Sequence, residues 1–122
     1  MADARTPSLL REDYWLVLSR PLPSTTAADI AALVDEHLAW LLVLESDGKI
    51  LMSGPFLEGP AVGPGSGITV LRADSAEEAS RLASQDPFVV AGLRTFDTYR
   101  WQLNEGSIGI TVSLGTGTYT WH

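Results

Sequence analysis

The sequence predicts an α+β domain in which two helices alternate with four strands and a β-hairpin follows. Three observations lead to this fold class. Short segments rich in β-branched and aromatic residues recur along the chain, as is typical of strands. Two longer segments carry apolar residues at three- and four-residue steps, as amphipathic helices do. The chain has 122 residues, 45% of them hydrophobic, which is enough for one core.

The chain is predicted to open with a central strand and a long helix. The run YWLVLS over residues 14–19 is aromatic and aliphatic on both faces, which indicates a strand covered on at least one side. Thr26 is placed to cap the helix, with Asp29 completing a capping box, and Gly48 is placed to end it. The stripe expected to face the sheet comprises Ile30, Leu33, Val34, Leu38, Leu41 and Leu44.

A pair of strands is predicted next, over residues 50–56 and 68–73. Gly54 and Pro55 near the end of the first of them indicate a bulge or an edge position there. The glycine-rich segment 59–67 links the two strands and lacks the GK[ST] sequence of a phosphate-binding loop. A flexible hairpin connection is therefore the favoured interpretation of this loop.

The second helix is predicted to start at a capping box formed by Ser75 and Glu78. Asp86 before Pro87 is the pattern of a cap followed by the first helical residue, so a further helical turn is expected there. Residues 95–101 indicate a fourth strand. The resulting order, βαββαβ, is that of the ferredoxin-like fold.

The tail carries the pattern of an added hairpin. Apolar residues alternate with small polar ones before the turn sequence GTGT, and two aromatic residues follow it: Ile108, Ile110, Val112, Leu114, Tyr119 and Trp121. We divide the chain into a flexible leader (residues 1–13), a domain (14–103) and a hairpin extension (104–122).

A sheet with helices on one face leaves its other face bare, so we expect a homodimer or a higher homo-oligomer. The net charge of −7 disfavours nucleic acid and anionic membranes as partners. The chain has no cysteine, no secretory signal pattern and no apolar run long enough to span a bilayer. We therefore expect a cytoplasmic protein.

The candidate chemistry is concentrated in His37. The other histidine is His122, and with no HExxH pattern and no cysteine no metal site is predicted. A Ser nucleophile such as Ser53 would need His37 as its base. An imidazole on the inward stripe of a helix must find hydrogen-bond partners or titrate abnormally. Satisfaction by a backbone carbonyl is the structural alternative, and Asp86 has an equally structural alternative as a cap.

Two segments together resemble a known family. They are EHLAWLLVLESDGKILMSGPF (residues 36–56) and SAEEASRLASQDPFVVAGL (75–93). A helix with one His, a Gly-Pro after the next strand and a later Asp-Pro-Phe followed by glycine are similar to the YCII-related family of small dimeric α/β-barrel proteins. The chain departs from it at residues 33–35, Leu-Val-Asp, where many members carry an Arg before the His.

The resemblance implies a ferredoxin-like subunit that pairs sheet to sheet in a dimeric α/β barrel. It also implies that His37 and Asp86 form the active site. Our candidate residues for substrate binding are Ser53, Gly54, Pro55 and Phe88.

The leading functional hypothesis is an acid–base enzyme that binds a small-molecule substrate and needs no cofactor. In it His37 moves a proton, and Asp86 fixes the imidazole tautomer. By analogy with the family, lyase or isomerase chemistry on a ring compound, a lactone or a halogenated aromatic breakdown intermediate is expected. Two alternatives remain open: a non-catalytic dimer that binds a small ligand or another protein, and an oxygenase that works without a cofactor.

Overall fold

The computed structural model describes residues 8–122 and confirms the predicted fold class. The elements are β1 (Glu12–Pro21), α1 (Ala27–Ser46), β2 (Ile50–Pro55), β3 (Gly67–Leu71), α2 (Ala76–Ser84), α3 (Pro87–Val90), β4 (Arg94–Leu103), β5 (Ile110–Ser113) and β6 (Thr118–Trp121). Residues 13–102 form one compact unit, and residues 8–12 with 103–122 belong to a second. Most of the predicted leader, residues 1–7, lies outside the described residues.

The first unit contains a four-stranded sheet in the order β2-β3-β1-β4. Strand β3 pairs antiparallel with both β1 and β2, so that Thr69 lies opposite Val17 on one side and opposite Ser53 on the other. The register of β2 shifts between Ile50 and Met52, which indicates a bulge at the start of β2. Strand β2 lies at the edge of the sheet, which is the second of the two alternatives that Gly54 and Pro55 predict.

The predicted caps of the two longer helices are present, with one difference. At α1 the Thr26 hydroxyl accepts a hydrogen bond from Asp29 N at 3.1 Å, and the Asp29 carboxylate accepts one from Thr26 N at 2.9 Å. At α2 the Ser75 hydroxyl accepts from Glu78 N at 3.1 Å. The Glu78 carboxylate, however, accepts from Asp74 N and from Lys49, so this capping box is not reciprocal.

The core lies between the sheet and the helices. Its buried side chains come from β1, α1, β3 and α2 and comprise Val17, Leu44, Leu71, Ala79, Leu82 and Ala83. The stripe predicted for α1 is only partly in this core, because Val34 is 37% exposed and Leu38 is 48% exposed. The reason is that both side chains border an open cleft between α1 and the strands.

The second unit contains the predicted C-terminal hairpin. Strands β5 and β6 pair antiparallel, with Ile110 opposite Trp121 and Val112 opposite Tyr119. Residues 106–122 contain no Asp, Glu, Lys or Arg, and the four paired apolar side chains are exposed. Among residues 8–122 no helix has the length and apolar character that crossing a membrane requires.

Candidate active site

Helix α1 and the turn before α3 bring together the two residues that the sequence singles out. His37 lies in the middle of α1, and Asp86 is the N-terminal cap of α3, 49 residues further along the chain. The distance from His37 Nδ1 to Asp86 Oδ1 is 2.8 Å. The two side chains are 12% and 1% exposed, so the pair is largely shielded from water. The hydrogen-bonding partner of His37 is therefore a side-chain carboxylate.

Asp86 is held by more than His37. Its Oδ1 also accepts a hydrogen bond from Phe88 N at 3.1 Å, as expected of a cap before Pro87. Its Oδ2 accepts from Arg94 Nε at 2.7 Å and lies 2.5 Å from Arg94 Nη2. Burial opposes ionisation of this carboxyl, but the hydrogen bond to His37 and the charge of Arg94 outweigh it and hold the pKa of Asp86 below its usual range.

These contacts determine the tautomer of His37. An ionised carboxylate accepts hydrogen bonds and has no proton to donate. The proton between the two side chains therefore resides on His37 Nδ1, and in the neutral imidazole Nε2 carries the lone pair. A histidine held in this way by a carboxylate can accept a proton at Nε2 from a bound molecule.

Aromatic side chains restrict the plane of the imidazole. The Phe88 ring stacks on His37 with centroids 4.3 Å apart and an interplanar angle of 20°. Trp40, one turn along α1, approaches at 5.6 Å with a tilt of 41°. The Arg94 guanidinium also lies over the Phe88 ring, with its Cζ 5.1 Å from the ring centroid. His37 is therefore confined by packing as well as by its hydrogen bond.

His37 lies in the wall of a cleft of about 340 Å³. Helix α1 lines the cleft with Ile30, Val34, His37, Leu38 and Leu41. The other wall consists of residues 53–55 of β2 together with residues 65–69. The predicted substrate-binding residues Ser53, Gly54, Pro55 and Phe88 thus all line the same cleft as His37. Asp86 lies behind His37.

Two glycines shape the wall opposite α1. Gly65 has a φ of +83°, and a Cβ atom there would lie 2.7 Å from Ile30 Cδ1. A Cβ atom on Gly67 would lie 2.8 Å from the carbonyl oxygen of Gly54. The glycine-rich segment therefore packs closely against β2 and α1, and its role here is to form a wall.

Arg94 is the site residue that the sequence analysis missed. It is 8% exposed, binds Asp86 through two nitrogens and lines the cleft. Nothing local distinguishes it from the seven other basic residues of the chain. Its contact with Asp86 arises because the chain turns back after α3, so that the start of β4 lies beside Asp86.

Within residues 8–122 no group of three or more His, Asp or Glu side chains is arranged to hold a metal ion.

Comparison with known proteins places this geometry in context. A solved structure of 5-chloro-2-hydroxyhydroquinone dehydrochlorinase (TftG) from Burkholderia phenoliruptrix AC1100, in complex with 2,5-dihydroxybenzoquinone, is similar with a TM-score of 0.60 and 25% identity. The match covers 72% of this chain and 92% of that one. An uncharacterized protein of Haemophilus influenzae is 29% identical over 85 residues, which is 66% of this chain and 86% of the relative. The family model described as YCII-related domain matches residues 14–102. The chain therefore belongs to the YCII-related domain family.

Proposed function

We propose that this protein is a cytoplasmic, cofactor-independent acid–base enzyme of the lyase or isomerase type that acts on a small ring compound. The observation that carries the proposal is the 2.8 Å hydrogen bond between His37 Nδ1 and the buried Asp86 carboxylate, since it leaves Nε2 of a cleft-lining histidine available as a base. His37 and Asp86 are thus the proposed catalytic pair.

In the proposed reaction, His37 Nε2 takes a proton from a carbon or hydroxyl group of the ring. The electron pair left behind forms a new double bond. In an elimination, a leaving group such as chloride departs with its own bonding pair, and the imidazolium later releases the proton to water. In an isomerisation, the imidazolium returns the proton to another carbon. An oriented base of this kind contributes about 10²- to 10⁴-fold in rate.

Asp86 acts through His37 in this scheme. Its carboxylate keeps the proton on Nδ1 and stabilises the imidazolium that forms when Nε2 accepts a proton. Because the pKa of Asp86 lies below its usual range, the carboxylate is ionised at neutral pH. The proton therefore stops at His37 and does not pass to Asp86.

The cleft suits a substrate with one ring. Its volume of about 340 Å³ lies at the low end of the roughly 300–1,000 Å³ of small-molecule sites. Apolar side chains of α1 and the Phe88 ring provide contacts for ring faces, while the hydroxyl of Ser53 can bond a ring oxygen. The solved neighbour, by its name, removes HCl from a chlorinated hydroquinone, which favours halogenated aromatic intermediates over lactones.

The non-catalytic alternative also has an observation in its favour. Asp86 caps α3 and pairs with Arg94, so it would have a structural function even without catalysis. A dimer that only binds a small metabolite in the cleft therefore remains the second candidate function.

We further propose that the sheet is covered by a second copy of the chain. The side chains that alternate with the core residues of β1, such as Leu16 and Leu18, point to the face opposite the helices, where Met52 and Tyr99 are half exposed. Sedimentation velocity tests this: we expect a dimer that Met52→Glu weakens. A monomer at every concentration contradicts it.

The test of the enzymatic proposal is a substrate panel of halogenated hydroquinones and lactones. We expect at least one compound for which His37→Ala lowers kcat/KM by about 10²- to 10⁴-fold. His122→Ala is the matched control, because it removes the other histidine and should leave the rate unchanged. A compound turned over equally by the native protein and by His37→Ala rules out the catalytic role for that reaction.

A further inference from the structure

Arg94 occupies an unusual position for a basic residue in a small domain. It is the first residue of β4, is 8% exposed, and uses all three guanidinium nitrogens in contacts. Nε and Nη2 meet Asp86 Oδ2, and Nη1 donates to the carbonyl oxygen of Gly65 at 3.0 Å. A buried guanidinium is unfavourable unless it is paired and hydrogen-bonded. The residue is therefore engaged on two sides, with the His37–Asp86 pair and with the glycine-rich wall.

The first contact bears on the charge of His37. A lone Asp86 carboxylate beside the imidazole would favour the imidazolium form, because an opposite charge at hydrogen-bond distance stabilises it. Arg94 places a positive charge on the other oxygen of the same carboxylate. The Asp86–Arg94 pair is then neutral as a unit, and the pull of Asp86 on a proton at His37 Nε2 is reduced.

The charged groups around His37 are few. Among the side chains that line the cleft, His37 and Arg94 are the two that can carry a charge. Helix α3 contributes Phe88, and the turn before it contributes Asp86. Among the described residues, Asp86 and Arg94 are therefore the charged groups of the network that contains His37.

The second contact bears on the shape of the cleft. Gly65 begins the part of the glycine-rich segment that lines the cleft opposite α1, and its backbone φ is +83°. The hydrogen bond from Arg94 Nη1 fixes the carbonyl of this residue. One side chain thus connects the carboxylate behind the proposed base to the wall that a ring would contact.

We infer that Arg94 is a positioning residue of this site: its guanidinium offsets the charge of the carboxylate that holds the proposed base, and it fixes the Gly65 wall of the cleft. The inference rests on the proposed function, because it assigns Arg94 a role toward the proposed base. Its electrostatic half can nevertheless be measured without any substrate.

The experiment is an NMR titration of His37 in a His122→Ala background, where His37 is the only histidine. We expect Arg94→Gln to raise the titration midpoint of the His37 imidazole by about one pH unit or more. The acid limb of the plot of kcat/KM against pH should move in the same direction. Arg94→Lys should retain most of the native midpoint, since it keeps the charge, but should raise KM because the fork to Gly65 is lost. Arg100→Gln is the control, since Arg100 pairs with Asp13 on the surface.

A folded Arg94→Gln protein with the native His37 midpoint overturns the inference. If Arg94→Gln does not fold, the test moves to Asp86→Asn and the double variant Asp86→Asn/Arg94→Gln, which has no unpaired buried charge. Removing Arg94 in the Asp86→Asn background must then raise the His37 midpoint, and an unchanged midpoint overturns the inference.

Failure of this inference is distinguishable from failure of the proposed function. If His37→Ala retains full turnover while Arg94→Gln moves the His37 titration, catalysis by His37 is wrong and the control of its charge by Arg94 stands. If His37→Ala abolishes turnover while the titration does not move, the catalytic proposal stands and the role of Arg94 is wrong.

Discussion

The candidate site and the C-terminal hairpin place polar and apolar side chains in opposite ways. At the site, three side chains that can carry charge lie largely shielded from water, and Asp86 is bonded to both His37 and Arg94. In the hairpin, residues 106–122 carry no Asp, Glu, Lys or Arg, and Val112 and Tyr119 are exposed. A charged side chain can be buried at tolerable cost when it is paired and hydrogen-bonded. The domain thus holds charged groups in its interior at the candidate site, whereas the hairpin exposes apolar side chains.

The largest effect should come from breaking the buried network at its centre. Asp86→Ala removes the acceptor of His37 and Arg94 and the cap of α3. It leaves a guanidinium buried without its counter-ion, so we expect the free energy of unfolding to fall by about 3–5 kcal/mol. Urea unfolding of both proteins measures this. A loss below about 1 kcal/mol, the usual size for a surface ion pair, would mean that the network is not buried in solution.

A matched pair of valines sharpens the contrast between the two regions. Val17 in β1 is 4% exposed, whereas Val112 in β5 is 64% exposed. We expect Val17→Ala to lower the free energy of unfolding by roughly 1.5–3 kcal/mol, since it removes buried methyl groups and leaves a cavity. Val112→Ala should change it by less than about 0.5 kcal/mol. Equal effects in thermal and urea unfolding would mean that the hairpin face is covered in solution.

How far the sequence predicts these regions depends on the range of the interaction. The capping box of Thr26 and Asp29 is local, and the structure confirms it. The juxtaposition of His37 and Asp86 is not local, since 49 residues separate them, and the family resemblance was what suggested it. Glu78 matches the capping-box pattern, yet its carboxylate reaches Asp74 N and Lys49. A pattern names the residue that can cap but not the competing partner that packing brings near.

Arg94 and the stripe on α1 show what the sequence does not predict. No spacing rule connects Arg94 to Gly65 or Asp86, because their contact depends on how three separate elements pack. The apolar period of α1 is equally compatible with facing a core or an open cleft, and Val34 and Leu38 face a cleft. Periodicity indicates that one face of a helix is apolar. Tertiary structure decides what that face packs against.

A glycine pair tests the wall of the cleft against the hairpin turn. Gly65 has a φ of +83° with Ile30 nearby, whereas a Cβ atom on Gly115 would meet nothing within 4 Å. We expect Gly65→Ala to cost about 1–2 kcal/mol in the free energy of unfolding, since an L residue is strained in the left-handed region, and to raise KM. Gly115→Ala should be nearly neutral. Equal stabilities and equal KM values for the two variants would show that the wall is not shaped by Gly65.

The response of stability to pH also separates the buried acid from more accessible ones. The pKa of Asp86 is lowered on folding, against the opposing effect of burial, by its bonds to His37 and Arg94. The stability that this carboxylate contributes is therefore present above its usual pKa of 3.8 and is lost as the pH falls through its lower native pKa. The more accessible acids Asp13 and Glu78 also have lowered pKa values, through bonds to Arg100 and to Asp74 N respectively.

Asp86→Asn isolates the contribution of Asp86 because it leaves Asp13 and Glu78 unchanged. The variant should be less stable than the native protein at neutral pH, and the gap between their unfolding free energies should narrow as the pH falls below about 3.8. Urea midpoints measured from pH 7 to pH 2 follow the gap directly. A gap that stays constant over this range would mean that Asp86 has the same pKa in the folded and unfolded chains. The carboxylate beside His37 would then lack the stabilised charge on which its proposed role depends.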